Sequence, residues 1–358
     1  MSELDAYVGM LFSSGGSDLH LKAGGPAFVR VDGELTPVHD LPRLAPADTA
    51  RFAAAIMDER ATADFADGRE VDFAYSIPGE GRCRVAVFRQ RGSVGIVMRR
   101  VQAGAPALAD LGMPSAVRRL AEEHRGLVLV TGPTGSGKST TTAAMIGHVN
   151  ATRRCHIVTI EDPIEILHRD DRAIVDQREV GVDTPDFPAA LRSVARQDPD
   201  VIFIGEMRDT ETVAAALQAA ETGHLVISTL HTTDATETVN RVVDLFPPHQ
   251  QSQARLSLAN SLRGVVSQRL AASTSGGRVA VVEVLVATTR MRDFLLDPDL
   301  TEQVVDGIAE GSYYGMQTFD QHLLALYAEG RITLRTALEV ATSPHDLRVA
   351  IRAEGLQA

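Results

Sequence analysis

The chain has 358 residues, of which 44% are hydrophobic and 23% are charged. At roughly 150 residues per domain this length allows two domains, and the composition is that of an ordinary folded protein rather than of a disordered or membrane-spanning chain. The formal net charge of -12 disfavours a protein that holds nucleic acid on a broad basic surface, so we expect no nucleic-acid partner.

The N-terminal sequence MSELDAYVGMLFSSGGSD has acidic residues where a secretory signal needs a basic region and a long apolar core. No sequence segment approaches the roughly 18 apolar residues of a membrane span. We therefore expect a cytoplasmic protein without direct insertion into a membrane. The two cysteines, Cys83 and Cys155, lie far apart and predict neither a disulfide framework nor a zinc site.

Residues 1–110 predict a small α+β domain. A short helix precedes the segments DLHLK and AFVRVDGELTPV, in which the pair Asp32-Gly33 is typical of a tight turn between two strands. A helical stretch near residues 46–65 follows, and DFAYSI, RCRVAVFRQ and GIVMRRV predict three more strands. We expect an antiparallel sheet with helices packed on it.

After a linker predicted in QAGAPALADLGMP, residues 111–285 show a different pattern. The apolar runs GLVLV, HIVTI, VIFIG and HLVIST alternate with helical stretches, which is typical of a parallel sheet covered by helices on both faces. One helix should begin after Asp209, its N-cap, and end at Gly223. Residues 286–358 predict a helical C-terminal subdomain.

The sequence GPTGSGKS follows the apolar run GLVLV and fits the phosphate-loop pattern G-x-x-x-x-G-K-[ST]. Phosphate oxygens need converging backbone N–H groups at a helix N-terminus, and glycines permit the required φ angles and close approach. Lys138 would reach the β- and γ-phosphates, and Ser139 would place its hydroxyl on Mg²⁺. The alternatives are a glycine-rich turn without a ligand and a dinucleotide-binding loop. The predicted nucleotide-binding residues of the loop are Gly132, Pro133, Thr134, Gly135, Ser136, Gly137, Lys138, Ser139 and Thr140.

Two acidic groups follow predicted strands. Glu206 comes after VIFIG and is the candidate to orient or deprotonate an attacking water; the alternative is a carboxylate that only faces solvent. In TIEDPIE, the residues Glu161, Asp162 and Glu165 follow the run HIVTI. Ligands collect at the carboxyl ends of strands in α/β sheets, so these carboxylates could hold Mg²⁺ through water.

The segment from about Arg125 to Asp244 resembles the type II/IV secretion ATPases, and specifically the PilT-like type IV pilus retraction ATPases. The motifs that carry the resemblance are GLVLVTGPTGSGKSTT for Walker A, TIEDPIEILH for the Asp box, ALRSVARQDPDVIFIGEMRD for Walker B and AAETGHLVISTLHTTDA for the His box. SDLHLKAGGPAFVRVDGEL and GMQTFDQ extend the likeness to both ends of the chain. The resemblance implies an α/β fold: a PAS-like N-terminal domain, a RecA-like P-loop core and a helical C-terminal subdomain.

The resemblance also implies roles for individual residues. Glu206 matches the Walker B glutamate, Glu165 the Asp-box glutamate, and His224 and His231 the paired His-box histidines, with a hydrogen-bonded core histidine as the alternative for His231. Between Gly81 and Leu108 the chain has six arginines and no acidic residue. The resemblance implies that arginines of the N-terminal domain reach the triphosphate, with Arg84 and Arg99 the best candidates and Arg82 behind them.

As a function, the resemblance implies a homohexameric motor that hydrolyses Mg-ATP to retract type IV pili, docked at the inner face of the cytoplasmic membrane on a pilus platform protein. The chain lacks the length and the cysteine cluster that the resemblance implies for assembly and secretion ATPases. However, RMRDFLLD replaces the retraction motif AIRNLIRE, so an auxiliary, assembly or secretion motor stays an alternative. Two functions of different classes also stay open: a nucleotide-gated binding protein with little turnover, and a nucleic-acid translocase.

Overall fold

A computed structural model describes residues 3–77 and 80–357. The chain forms two compact units, residues 1–103 and residues 104–358. The predicted linker QAGAPALADLGMP begins at the end of the first unit and contains a 3-10 helix, Leu108–Leu111, in the second. Among the described residues, no helix is both long and apolar enough to cross a membrane.

The first unit is an α+β unit, as predicted. Its described helices are α1 (Glu3–Ser13), α2 (Pro46–Ile56) and α3 (Glu59–Ala66). Its described strands are β1 (Asp18–Lys22), β2 (Phe28–Val31), β3 (Glu34–Pro37), β4 (Val71–Ile77), β5 (Gly81–Gln90), β6 (Ser93–Arg100) and β7 (Gln102–Ala103).

Six of these strands form an antiparallel sheet in the order β3-β2-β1-β6-β5-β4. Alternate residues of the strands, such as Leu19 and Val85, are buried in one apolar cluster with helix residues such as Phe52. Asp32 and Gly33 join β2 to β3 with φ angles of 48° and 88°. Two positive φ angles are what a two-residue type I′ hairpin requires, so the predicted turn is confirmed.

The second unit contains the remaining elements. Its strands are β8 (Gly126–Thr131), β9 (His156–Glu161), β10 (Ile166–Leu167), β11 (Ile174–Glu179), β12 (Val201–Ile204), β13 (Leu225–Leu230), β14 (Leu262–Ala272) and β15 (Arg278–Val286). Its helices up to β14 are α4 (Ser115–Ala121), α5 (Lys138–Thr152), α6 (Phe187–Val194), α7 (Thr210–Glu221), α8 (Ala235–Asp244) and α9 (Pro248–Ser261). The helices after β15 are α10 (Thr289–Leu296), α11 (Val304–Glu310), α12 (Phe319–Ala328), α13 (Leu334–Val340) and α14 (Pro344–Ala353).

Seven strands of this unit form one sheet in the order β11-β9-β12-β13-β8-β14-β15. Six are parallel, and β15 is antiparallel to β14 at the edge. The strand β8 is buried throughout, and its alternate residues enter different apolar clusters, with Leu127 and Leu129 in one and Val128 and Val130 in another. Both sheet faces are therefore covered, as the continuous apolar runs predict.

The ends of α7 agree with the sequence. Asp209 is the N-cap, because its side chain accepts a hydrogen bond from the backbone N–H of Thr212. The helix ends at Glu221, two residues before Gly223, which has a φ of 117°. The expected helices beyond residue 285 are also present, and α12 to α14 share a smaller apolar cluster with β14 and β15.

Candidate functional site

The carboxyl ends of four parallel strands lie at one edge of the second unit's sheet. Register pairs β8 with β13, β13 with β12, and β12 with β9. The four segments that follow these strands line a cavity of about 1300 Å³. The predicted site residues that line it are Thr134, Gly135, Gly137, Lys138, Ser139, Thr140, Glu161, Asp162, Glu165, Glu206 and His231.

The loop between β8 and α5 has the backbone of a phosphate-binding loop. Gly132, Gly135 and Gly137 have φ angles of 144°, 80° and 92°, values that favour glycine over any other residue. Gly137 is the N-cap of α5, so the free N–H groups of the helix begin at the loop. This is the arrangement that binds anionic oxygens at a helix N-terminus.

Lys138, the first residue of α5, has a buried side chain that is held by the loop. Its Nζ donates to the carbonyl oxygens of Gly132 at 2.7 Å and Pro133 at 3.1 Å. Burial lowers the pKa of Lys138, and the negative charges of Glu206 and Glu165 oppose that shift. The ammonium is thus fixed beside the loop with two carboxylates close enough to influence it.

Glu206 lies two residues beyond the end of β12, and its side chain is 19% exposed. One carboxylate oxygen lies 2.8 Å from Arg208 Nη2, and the other lies 3.3 Å from His231 Nε2. The Nδ1 atom of the same His231 ring lies 3.5 Å from Lys138 Nζ. The structure therefore brings Lys138, His231 and Glu206, which are far apart in sequence, into one polar cluster.

The acidic residues at the end of β9 and in the loop that follows it differ in burial. Glu161 is 8% exposed and accepts hydrogen bonds from Thr159 Oγ1 at 2.7 Å and Gln177 Nε2 at 3.1 Å. Burial raises the pKa of Glu161. Asp162 and Glu165 are exposed at the cavity. A hard cation prefers such oxygen ligands, and Ser139 also lines the cavity.

Ser136 gives a second sign that the loop suits an oxyanion. Its residue is 4% exposed, and its hydroxyl has no hydrogen-bond partner among residues 3–77 and 80–357. A buried hydroxyl without a partner is uncommon, and a phosphate oxygen would accept its hydrogen bond. The loop residues and the acidic residues together fit a nucleotide with its divalent cation.

Four predicted residues lie elsewhere, namely His224 and the arginines Arg82, Arg84 and Arg99 of the first unit. His224 precedes the first residue of β13, at the end opposite His231, and its Nδ1 lies 2.9 Å from the carbonyl oxygen of Ala219. The structure does not bring it to the cavity. Arg84 and Arg99 belong to the first unit, where they are exposed and lie opposite each other on β5 and β6. Arg99 also donates to Asp18 Oδ1 at 2.8 Å.

Gln268 on β14 lines the cavity and was not predicted from the sequence, and neither was Arg208. Arg208 follows Glu206 closely in GEMRD, so its position beside a strand end is a signal that could have identified it. Gln268 is one polar residue in the run LRGVVSQRLAA, and no local pattern marks it.

The model of the family described as Type II/IV secretion system protein matches residues 3–304. The chain belongs to this family. Type IV pilus retractation ATPase PilT of Pseudomonas aeruginosa is 46% identical to it over 332 residues, or 93% of this chain and 96% of the relative. Type IV pilus ATPase PilU of the same organism is 42% identical over 351 residues, or 98% and 91% of the two chains.

A crystal structure of the pilus retraction motor PilT with bound ADP is similar over almost the whole chain. The TM-score is 0.86 at 47% sequence identity, covering 96% of this chain and 98% of the other. The resemblance inferred from the motifs is confirmed, and so is the predicted α/β fold class.

Proposed function

We propose that this chain is a Mg-ATP-hydrolysing motor that powers type IV pilus retraction. One observation carries the proposal: the phosphate loop, Lys138, Glu206 and His231 share one cavity at the carboxyl edge of a parallel sheet. A phosphate loop with its lysine would also fit a protein that binds a nucleotide without hydrolysing it. The carboxylate beside them adds a group that can act on water.

In this proposal the loop residues hold the phosphates. Backbone N–H groups at the start of α5 donate to phosphate oxygens, and the fixed ammonium of Lys138 neutralises charge on the β- and γ-phosphates. Ser139 would hold Mg²⁺ through its hydroxyl, together with the carboxylates of Glu161, Asp162 and Glu165. When bound there, Mg²⁺ would supply positive charge against the charge that develops during phosphoryl transfer.

Glu206 orients the attacking water and accepts its proton. Its contacts with Arg208 and His231 at 2.8 and 3.3 Å restrict the carboxylate to a defined position, which favours a productive geometry. The His231 ring contacts both Glu206 and Lys138. We therefore propose that it senses the phosphate bound beside these two residues. We propose that His224 acts outside this cavity, because it lies at the opposite end of β13 from His231.

We further propose that Arg84 and Arg99 supply positive charge to the bound triphosphate in the homohexamer. Both arginines are exposed and lie opposite each other on neighbouring strands, which supports this role. A guanidinium that stabilises phosphoryl transfer is worth about 10³ to 10⁵ in rate in other NTPases. The division into domains 1–110, 111–285 and 286–358 is also part of the proposal.

The retraction role rests on the near full-length likeness to PilT. We propose that the partner is an inner-membrane pilus platform protein and that the motor acts in the cytoplasm at that membrane. A second candidate is an auxiliary or assembly motor, because RMRDFLLD departs from the retraction motif. Deleting the gene separates retraction from assembly: loss of retraction leaves more surface pili, and loss of assembly leaves none.

Steady-state ATP hydrolysis by the purified full chain tests the enzyme. We expect Glu206→Gln to bind ATP but to lose at least about 100-fold in kcat, the range for a lost general base. Glu221→Gln is the matched control, because Glu221 is an exposed glutamate at the end of α7. The oligomeric mass is measured with Mg-ATP. If wild type and Glu206→Gln are equally inert monomers, the protein is a binding module instead.

A further inference from the structure

One buried amide connects the phosphate loop with the helix that follows it. Gln268 lies on β14 and is 2% exposed. Its Nε2 donates to the carbonyl oxygen of Ser136 at 2.7 Å, and its Oε1 accepts from Thr141 Oγ1 at 2.8 Å. Ser136 belongs to the loop and Thr141 to the first turn of α5, so one side chain ties both ends of the segment that contains Lys138.

Two loop glycines leave room for Gln268. A Cβ on Gly137 would lie 2.7 Å from Gln268 Nε2, and a Cβ on Gly132 would lie 2.4 Å from the Gln268 carbonyl oxygen. Both distances are shorter than any normal contact between such atoms, so a larger residue would push the loop away from β14. The glycines therefore serve the packing of the loop against Gln268 in addition to the approach of a ligand.

The chemistry of the contact requires an amide. A glutamine carries a donor and an acceptor on one planar group, and both are used here. Glutamate has the same shape, but its ionised carboxylate has no hydrogen to donate. It would face the carbonyl oxygen of Ser136 with a like partial charge. The bond to Ser136 would be lost while its partner stays buried, which costs more than removing both partners.

We propose that Gln268 is a positioning residue that holds the phosphate loop, before nucleotide binds, in the conformation that binds the phosphates of a nucleotide. This inference rests on the proposed function and adds a residue to it. The loop N–H groups converge only if the backbone on both sides of Lys138 is fixed. If folding has already fixed this backbone, the nucleotide does not have to order it on binding, so binding is tighter.

Thr142 provides a matched control within α5. It is as buried as Thr141, at 1% exposed for each residue. Its hydroxyl donates to the backbone oxygens of Lys138 and Ser139 in its own helix, both at 3.1 Å, rather than to Gln268. Thr141→Val and Thr142→Val therefore remove the same group from neighbouring positions, and Thr141→Val alone breaks a contact with the glutamine.

The test measures ADP binding to the full chain by calorimetry. We expect Gln268→Glu to raise Kd about ten- to hundred-fold, since it loses one hydrogen bond and adds a charge beside the loop. Thr141→Val should raise Kd about three- to tenfold, the range for one neutral hydrogen bond. Thr142→Val should leave the Kd for ADP within about twofold of the wild-type value. In ATP hydrolysis, KM should rise more than kcat falls, because bound nucleotide restores the loop.

Hydrogen exchange of residues 132–141 in the nucleotide-free protein gives an independent readout. Exchange should be faster in Gln268→Glu and Thr141→Val than in Thr142→Val. A residue that only stabilised the fold would lower the unfolding midpoint and leave the Kd of the folded protein unchanged. Equal Kd values and equal exchange in all variants would overturn the inference.

Two outcomes have separate meanings. If Gln268→Glu does not fold, the comparison of Thr141→Val with Thr142→Val decides the matter alone, and equal ADP affinities overturn the inference. If the wild type itself does not bind ADP, the proposed function fails. Hydrogen exchange of residues 132–141 then still decides whether Gln268 holds the loop.

Discussion

Glu283 on β15 should make the stability of the second unit depend on pH near neutrality. It is 5% exposed, and its Oε1 accepts from the backbone N–H of Ala235, the first residue of α8, at 2.9 Å. Burial raises the pKa of Glu283 to about 7. The Ala235 N–H and Arg269 act against the rise, and the charges of Asp234 and Asp320 add to it.

The sign follows from proton binding. In the unfolded chain the Glu283 carboxyl has its ordinary pKa of 4.5, against about 7 in the folded protein. Between these values the folded state keeps a proton that the unfolded state has released, so stability falls as the pH rises. The full difference corresponds to about 3 kcal/mol of unfolding free energy, because one pH unit of pKa difference is worth about 1.4 kcal/mol.

Urea denaturation of the wild type and of Glu283→Gln measures this effect. Glutamine keeps an acceptor for Ala235 N–H and does not ionise. We therefore expect the wild type to lose roughly 2 to 3 kcal/mol relative to the variant between about pH 5 and about pH 8. Glu302→Gln changes an exposed position and keeps Glu283, so its stability should depend on pH as that of the wild type does. A difference between wild type and Glu283→Gln that stays constant with pH would refute the reasoning.

Three further predictions concern the same unit. Gly264→Ala should cost about 1 to 3 kcal/mol by overpacking, because a Cβ there would lie 2.6 Å from Leu285 O; an unchanged urea midpoint would contradict this. Asp209→Ala should cost about 1 kcal/mol, since α7 loses the cap on Thr212 N–H, whereas Asp209→Asn should cost less in the same assay. Burial lowers the pKa of His322 from 6.5 to about 4. The contribution of neutral His322 to the unfolding free energy is therefore fully present above pH 6.5 and is lost as the pH falls through about 4. Unfolding of His322→Gln should lack that acid dependence, which amounts to roughly 3 kcal/mol in the wild type.

The sequence alone predicted the features that neighbouring residues encode. The continuous apolar run GLVLV predicted a strand buried on both faces, and β8 is one. The pair Asp32-Gly33 predicted the hairpin turn, and the loop glycines predicted the positive φ angles that Gly132, Gly135 and Gly137 adopt. Each prediction is local, because a turn or a helix N-terminus is specified by a few consecutive side chains and their allowed φ angles.

Only the tertiary structure decided which of these features meet. The strand order places the ends of β8, β9, β12 and β13 side by side, and this brings Glu206 to His231 while leaving His224 at the opposite end of β13. Likewise, Gln268 is 132 residues from Ser136 in sequence, so no periodicity could predict their hydrogen bond. The burial that raises the pKa of Glu283 also depends on elements distant in the chain. Motifs determine what each segment can do, whereas strand pairing and packing determine which partners it has, because those contacts join residues that no local pattern relates.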